Sequence, residues 1–157
     1  MDLGMTSRVR PHVEAVRAMI VEEIAPLEAE FHGEVGSTGD RFAYTPRMLQ
    51  ILEGLKAKAR ERGLWNFWKT EGEGSFGLST VEYAYLAEEM GRSPLAPEIF
   101  NCNAPDTGNM EVLSKYGTPE QQATWLQPLM LAEIRSAYLK RRHQVLSSDR
   151  PSGFRRA

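Results

Sequence analysis

A single cysteine, Cys102, stands among the 157 residues. It excludes an intrachain disulfide and a thiolate metal cluster, so the fold has to be held by its buried core. Long apolar runs are missing too. No stretch approaches the roughly 18 residues that a bilayer-crossing helix needs, and no membrane span is expected. The opening Met1-Asp2-Leu3-Gly4-Met5 lacks the basic and apolar regions of a secretory signal. Arg8, Arg10 and Arg17 suit an organelle transit peptide, but Asp2, Glu14, Glu22 and Glu23 interrupt it, which points to a cytoplasmic chain. His12, His32 and His143 lie far apart with no ligand spacing among them, and a metal site is not expected. Glu71 to Gly77 is glycine-rich but lacks the lysine order of a phosphate-binding loop, and is read as a turn. Ser136 and Ser148 have no base and orienting acid beside them in sequence, so nucleophilic catalysis has no support. Glu88 and Glu89, adjacent on a helix, read as a solvated face rather than an acid/base pair.

What is present is ordinary for a folded chain, at 41% hydrophobic and 25% charged residues. The net charge of −2 conceals an asymmetry. Residues 1–134 carry 12 Lys and Arg against 20 Asp and Glu, whereas 135–157 carry 7 Lys and Arg against Asp149 alone. An acidic body argues against nucleic acid as a partner.

Helical periodicity dominates that body, with no alternating strand pattern and no internal repeat. Val9, Val13, Val16, Ile20, Ile24, Leu27 and Phe31 recur at three- and four-residue intervals, which predicts a long helix from Ser7 to about Phe31. Pro26 is expected to kink or stop it. His32 to Thr45, with three glycines, reads as a surface loop. Thr45 and Pro46 open a second helix that Gly63 ends. Ser79 and Glu82 form a capping box for a third helix reaching Met90, which Gly91 stops. Pro94, Pro97 and Pro105 punctuate the next connection, leaving room for a short helical piece near Glu98-Ile99-Phe100. The fourth helix starts near Asp106 and ends at Gly117, expected to be left-handed. Thr118, Pro119, Glu120 and Gln121 then carry the chemistry of a new helix start. These elements predict an all-α bundle of about five helices over residues 1–138, followed by an irregular basic tail over 139–157.

The corner 115–122, Lys-Tyr-Gly-Thr-Pro-Glu-Gln-Gln, is followed by Trp125-Leu126, Pro128-Leu129 and Glu133-Ile134-Arg135-Ser136-Ala137-Tyr138. Together these resemble the end of the amino-terminal helical domain of acyl-CoA dehydrogenases. With Asn103 to Glu111 in front, the string resembles the subgroup favouring longer or unusual acyl chains. The likeness covers roughly residues 8–138.

The resemblance implies an FAD-dependent enzyme acting on fatty acyl-CoA. A base removes the α-proton while the β-hydride passes to FAD, leaving a trans-2-enoyl-CoA. The helical domain would wall the acyl pocket, and intact members would be homo-oligomers. Substrate-side positions implied are Trp65, Phe67, Asn103, Asp106, Thr107, Met110 and Ser148. Leu64, Phe100 and Leu113 could add to an apolar slot. Taken on their own, the aromatic and aliphatic members of this set read first as core packing, and Asn103, Asp106, Thr107 and Asn109 as a polar helix start.

After Tyr138 the family pattern calls for a Met-Thr-Glu-Pro strand meeting the flavin, then a Ser-Asp pair. Here Arg141 stands in place of the threonine, Arg142 and His143 in place of Glu and Pro, and Ser147-Ser148-Asp149 keeps the later element. Tyr138, Arg141 and Ser148 are the cofactor-side positions implied. The β-domain and the domain carrying the catalytic glutamate are absent from these 157 residues, which suggests a truncation or altered reading frame and no turnover by this chain alone. A second expectation, of a different class, is a non-catalytic helical module that associates through the apolar surface those domains would cover.

Overall fold

The structure is a computed structural model that describes residues 4–70 and 74–138. The glycine-rich turn therefore falls partly outside the described residues, as do Arg141, Ser148 and the whole basic tail. Every regular element among the described residues is a helix, with no strand among them. The helices are α1 (Arg10–Met19), α2 (Ala25–Gly33), α3 (Pro46–Glu61), α4 (Thr80–Met90), α5 (Ala96–Ile99), α6 (Asp106–Tyr116), α7 (Pro119–Gln121) and α8 (Gln127–Met130). Two π-turns, Ile20–Ile24 and Gln122–Leu126, fuse α1 to α2 and α7 to α8. Five long rods and the short α5 result, as the periodicity predicts.

Pro26 does not stop the first rod. Each π-turn lies directly ahead of a proline, Pro26 in the first turn of α2 and Pro128 in the first turn of α8. A proline has no N–H for the residue four back, and its ring crowds that residue's carbonyl. In both rods the residue before the proline reaches back five instead: Ala25 N–H donates to the Ile20 carbonyl and Gln127 N–H to that of Gln122. The widened turn passes the proline and the helix continues.

The ends of the rods follow the chemistry of their residues. Thr45 Oγ1 accepts from Met48 N–H at 3.1 Å. Ser79 with Glu82, and Thr118 with Gln121, form reciprocal capping boxes. Gly63, at φ 68°, lets Leu64 N–H return to the Ala59 carbonyl at 2.8 Å, closing α3 with a left-handed residue. Gly117 behaves differently from expectation. Its φ is −70° and ψ 141°, an extended conformation. A Cβ there would stand 2.5 Å from the Leu113 carbonyl oxygen, so the corner requires glycine for clearance rather than for handedness.

The core gathers Val9, Val13, Val16, Met19 and Ile24 from the first rod, Leu52 and Leu55 from α3, and Leu86 and Met90 from α4. Helix α1 packs on α4, α2 on α3, and α6 on the rod from α7 to α8. Glu89, expected on a solvated face, is 4% exposed. Arg17 closes on it bidentately from α1 and Arg92 adds a third contact at 3.0 Å, so the carboxylate is neutralised where it is buried. Glu82 is likewise enclosed and accepts from Thr6, Arg8 and Ser79. Among the described residues no helix is long and apolar enough to cross a membrane.

Candidate functional site

Between α6 and the rod from α7 to α8 lies an open groove of about 310 Å³. Val112 and Leu113 supply one wall, Trp125 and Leu129 the other, and Ile134, Arg135 and Ser136 cross one side. The apolar exposure is real: Val112 is 58%, Trp125 49% and Ile134 40% exposed, while Leu129 forms a buried floor. The π-turn holds Trp125 and so shapes this wall. A larger hollow of about 450 Å³ lies over Thr80, Val81, Ala84, Tyr85 and Glu88, but all five belong to α4. It is the flank of one helix, with no second element converging on it.

The rim of the groove is polar and tightly bonded. Asp106, in the first turn of α6, is 2% exposed. It accepts from Ser136 N–H at 2.8 Å, from Ser136 Oγ at 2.5 Å and from Arg135 Nη1 at 2.9 Å. Asn109 Nδ2, one turn further along α6, donates to Ser136 Oγ at 2.8 Å. Arg135 also pairs with Glu98, which takes Lys56 Nζ at 2.8 Å from the opposite side. Burial pulls both the Arg135 guanidinium and the Lys56 amine below their ordinary values; for Lys56 the neighbouring charge of Arg135 adds to it. With Glu53, which also pairs with Lys56 at 3.2 Å, two cations and three acids thus form one cluster that fixes residues 134–136 across the groove.

A second set of polar groups anchors the other end of this strap. Trp65 Nε1 donates to the Met130 carbonyl at 2.8 Å, and Asn66 Nδ2 to the same oxygen at 2.9 Å. Asn101 Nδ2 reaches the Leu129 carbonyl at 3.1 Å and Asn66 Oδ1 at 2.7 Å. These are the carbonyls a helix end leaves without intrahelical partners.

The substrate-side positions implied by the sequence separate into two groups. Asp106, with Asn103 3.5 Å from Arg135, joins the rim, and Thr107 sits beside them with its N–H on the Asn103 carbonyl. Phe67 and Met110 are both 0% exposed and lie within the core; Leu64 and Phe100 are enclosed there too. Trp65 is half-buried on the flank, its ring under the Arg60 guanidinium at 4.3 Å. Leu113 opens on the groove. Of the cofactor-side positions, Tyr138 is 70% exposed, and Arg141 and Ser148 lie outside the described residues.

Residue-level reading missed Trp125, Arg135, Asn66 and Asn101. Asn66 had a signal, being the one polar side chain in Leu64-Trp65-Asn66-Phe67-Trp68. The partners of Arg135 and Asn101, about thirty residues away in sequence, had none.

Comparison with known proteins bears on this geometry. The model of the acyl-CoA dehydrogenase amino-terminal domain matches residues 9–133. Acyl-CoA dehydrogenase family member 10 of Mus musculus is 45% identical over 151 residues, covering 93% of this chain and 14% of that relative. The probable acyl-CoA dehydrogenase FadE2 of Mycobacterium tuberculosis is 39% identical over 150 residues, covering 95% of this chain and 35% of the relative. A solved structure assigned to an acyl-CoA dehydrogenase from Mycobacterium abscessus superposes with a TM-score of 0.73 at 44% identity, covering 84% of this chain and 33% of the other. The chain therefore spans between about a seventh and a third of the length of the relatives it matches.

Proposed function

Since this chain belongs to the acyl-CoA dehydrogenase family through its amino-terminal helical domain, we propose that it forms one wall of the acyl pocket in an FAD-dependent dehydrogenase of fatty acyl-CoA. The observation that carries the reading is the groove itself. Val112, Leu113, Trp125 and Leu129 offer an apolar channel between two helices, open on one side to a completing surface and edged by a bonded polar rim. A saturated acyl chain laid there loses contact with water at about 0.8 kcal/mol for each buried methylene. Asn103, Asp106 and Thr107 serve by holding the strap and the start of α6, and Met110, buried on α6, backs the wall from inside, while Phe67 packs in the core against Phe76 and Phe100.

FAD, when bound, supplies the hydride acceptor of such a reaction. Tyr138 is the one described residue among the implied cofactor contacts, and a single exposed ring does not compose a flavin site. The work assigned to this chain is to bind and orient the acyl chain and to exclude water from it.

In the complete protein, Leu113→Asp and Trp125→Ala should lower kcat/KM for palmitoyl-CoA by at least about tenfold, and that for butyryl-CoA by much less. Equal losses on both substrates would count against the groove as acyl wall. The 157-residue chain, purified alone, should show no flavin bleaching on addition of acyl-CoA; yellow protein that bleaches would overturn its assignment as a wall without redox machinery.

A further inference from the structure

Two asparagines sit in the left-handed region, Asn66 at φ 62° and Asn101 at φ 53°, with Ala132 at φ 56° opposite them. Non-glycine residues rarely adopt it, and clustered outliers of this kind persist where the surrounding structure over-determines them. What over-determines these is a set of converging hydrogen bonds. Asn66 N–H donates to the Phe100 carbonyl at 3.0 Å, and Asn66 Oδ1 accepts from both Trp68 Nε1 and Asn101 Nδ2. With Trp65, the same two amides close on the carbonyls of Leu129 and Met130. Arg60 Nη2 takes the next carbonyl, that of Leu131, at 3.0 Å. Three consecutive carbonyls at a helix end are thus held by side chains from two distant segments.

We propose that Asn66 and Asn101 are positioning residues that set the width of the groove and so select among acyl chains by length and bulk. The proposal rests on the reading of the groove as an acyl wall. Leu129 is the floor of that groove, and the chain leaving Met130 becomes its crossing strap within four residues. The strap has two moorings. One is Asp106 and Asn109 on Ser136; the other is the asparagine clasp on Leu129 and Met130. Loosening the clasp frees the floor and the strap together, whereas neither asparagine lines the groove.

The test uses Asn66→Asp and Asn101→Asp in the full 157-residue chain. Each keeps the side-chain shape and the tolerance for positive φ, but turns an oxygen towards a carbonyl where an N–H had donated. Trp65→Phe, which removes one donor and keeps a ring, is the milder third variant. Amide exchange is followed by mass spectrometry across 131–136, and dissociation constants for butyryl-CoA and palmitoyl-CoA are measured with the same substitutions in the complete protein, where the groove has its completing surface. The expected result is exchange at 131–136 accelerated about tenfold or more, with α3 and α4 unchanged, and a palmitoyl preference reduced by a similar factor. Trp65→Phe should shift both in the same direction by less. Unchanged exchange at 131–136, or an equal rise through α3 and α4, overturns the positioning role. Binding of neither ligand by the unmodified complete protein would sink the acyl reading instead, and the local exchange pattern would then uphold or overturn the clasp by itself.

Discussion

At the scale of single residues, two glycines, one at the corner after α6 and one inside α3, have opposite needs. Gly117 is confined by the Leu113 carbonyl, which an added Cβ would meet at 2.5 Å. Gly117→Ala should therefore cost about 1–3 kcal/mol, seen as a lower thermal midpoint. Gly54, inside α3, has nothing within 4 Å of such a Cβ. Gly54→Ala should raise the midpoint by about 0.5–1 kcal/mol worth of stability, because a mid-helix glycine wastes chain entropy. Glu82 provides a pH-dependent counterpart. The Arg8 guanidinium, then the Thr6 hydroxyl and the Ser79 N–H, hold its carboxyl well below the usual range. Glu23, Glu30 and Glu89 are shifted the same way, chiefly by Lys58, Arg47 and Arg17. A depressed carboxylate contributes stability above its unfolded pKa, near about 4.3, and loses it as pH falls towards the folded value. The thermal midpoint should accordingly decline steadily below about pH 5, and Glu82→Gln should be less stable at neutral pH with a shallower acid decline.

At the scale of elements, the two capping boxes invite direct comparison. Thr118→Ala removes one exposed cap and should cost about 1 kcal/mol. Ser79→Ala removes a cap that also donates to the buried Glu82, and should cost more; chemical denaturation of the two variants side by side decides the order. Caps of this kind are local chemistry, which is why α3, α4 and α7 begin where their residues predict. The stop expected at Pro26 and the left-handed residue expected at Gly117 fail for one shared reason. Proline narrows and glycine widens what the backbone can adopt, and the conformation taken, a π-turn in one case and an extended corner in the other, is set by neighbours. Glu89 was misread because helical spacing does not show that Arg17 faces it from α1.

At the scale of the whole molecule, Val112, Trp125 and Ile134 stay exposed around the groove, with Tyr116 and Leu131 exposed at the ends of α6 and α8 and Phe42 and Tyr44 elsewhere. A surface of this kind favours association when nothing covers it. Sedimentation of the isolated chain should show mass rising with concentration, and Tyr116→Lys with Trp125→Lys should hold it monomeric. The groove lies in this same region, and its legibility was uneven. Leu113 and Asp106 could be reached from the helix start and its apolar spacing, but the clasp joins segments near 66, 101 and 130, and no short-range pattern announces such a meeting. The π-turns carry one last implication, for kinship rather than energetics. Each holds one residue more than the α-turn it replaces. Relatives lacking a proline at the position of Pro26 or Pro128 should therefore tend to be one residue shorter just upstream, and aligned sequences should open a single-position gap there.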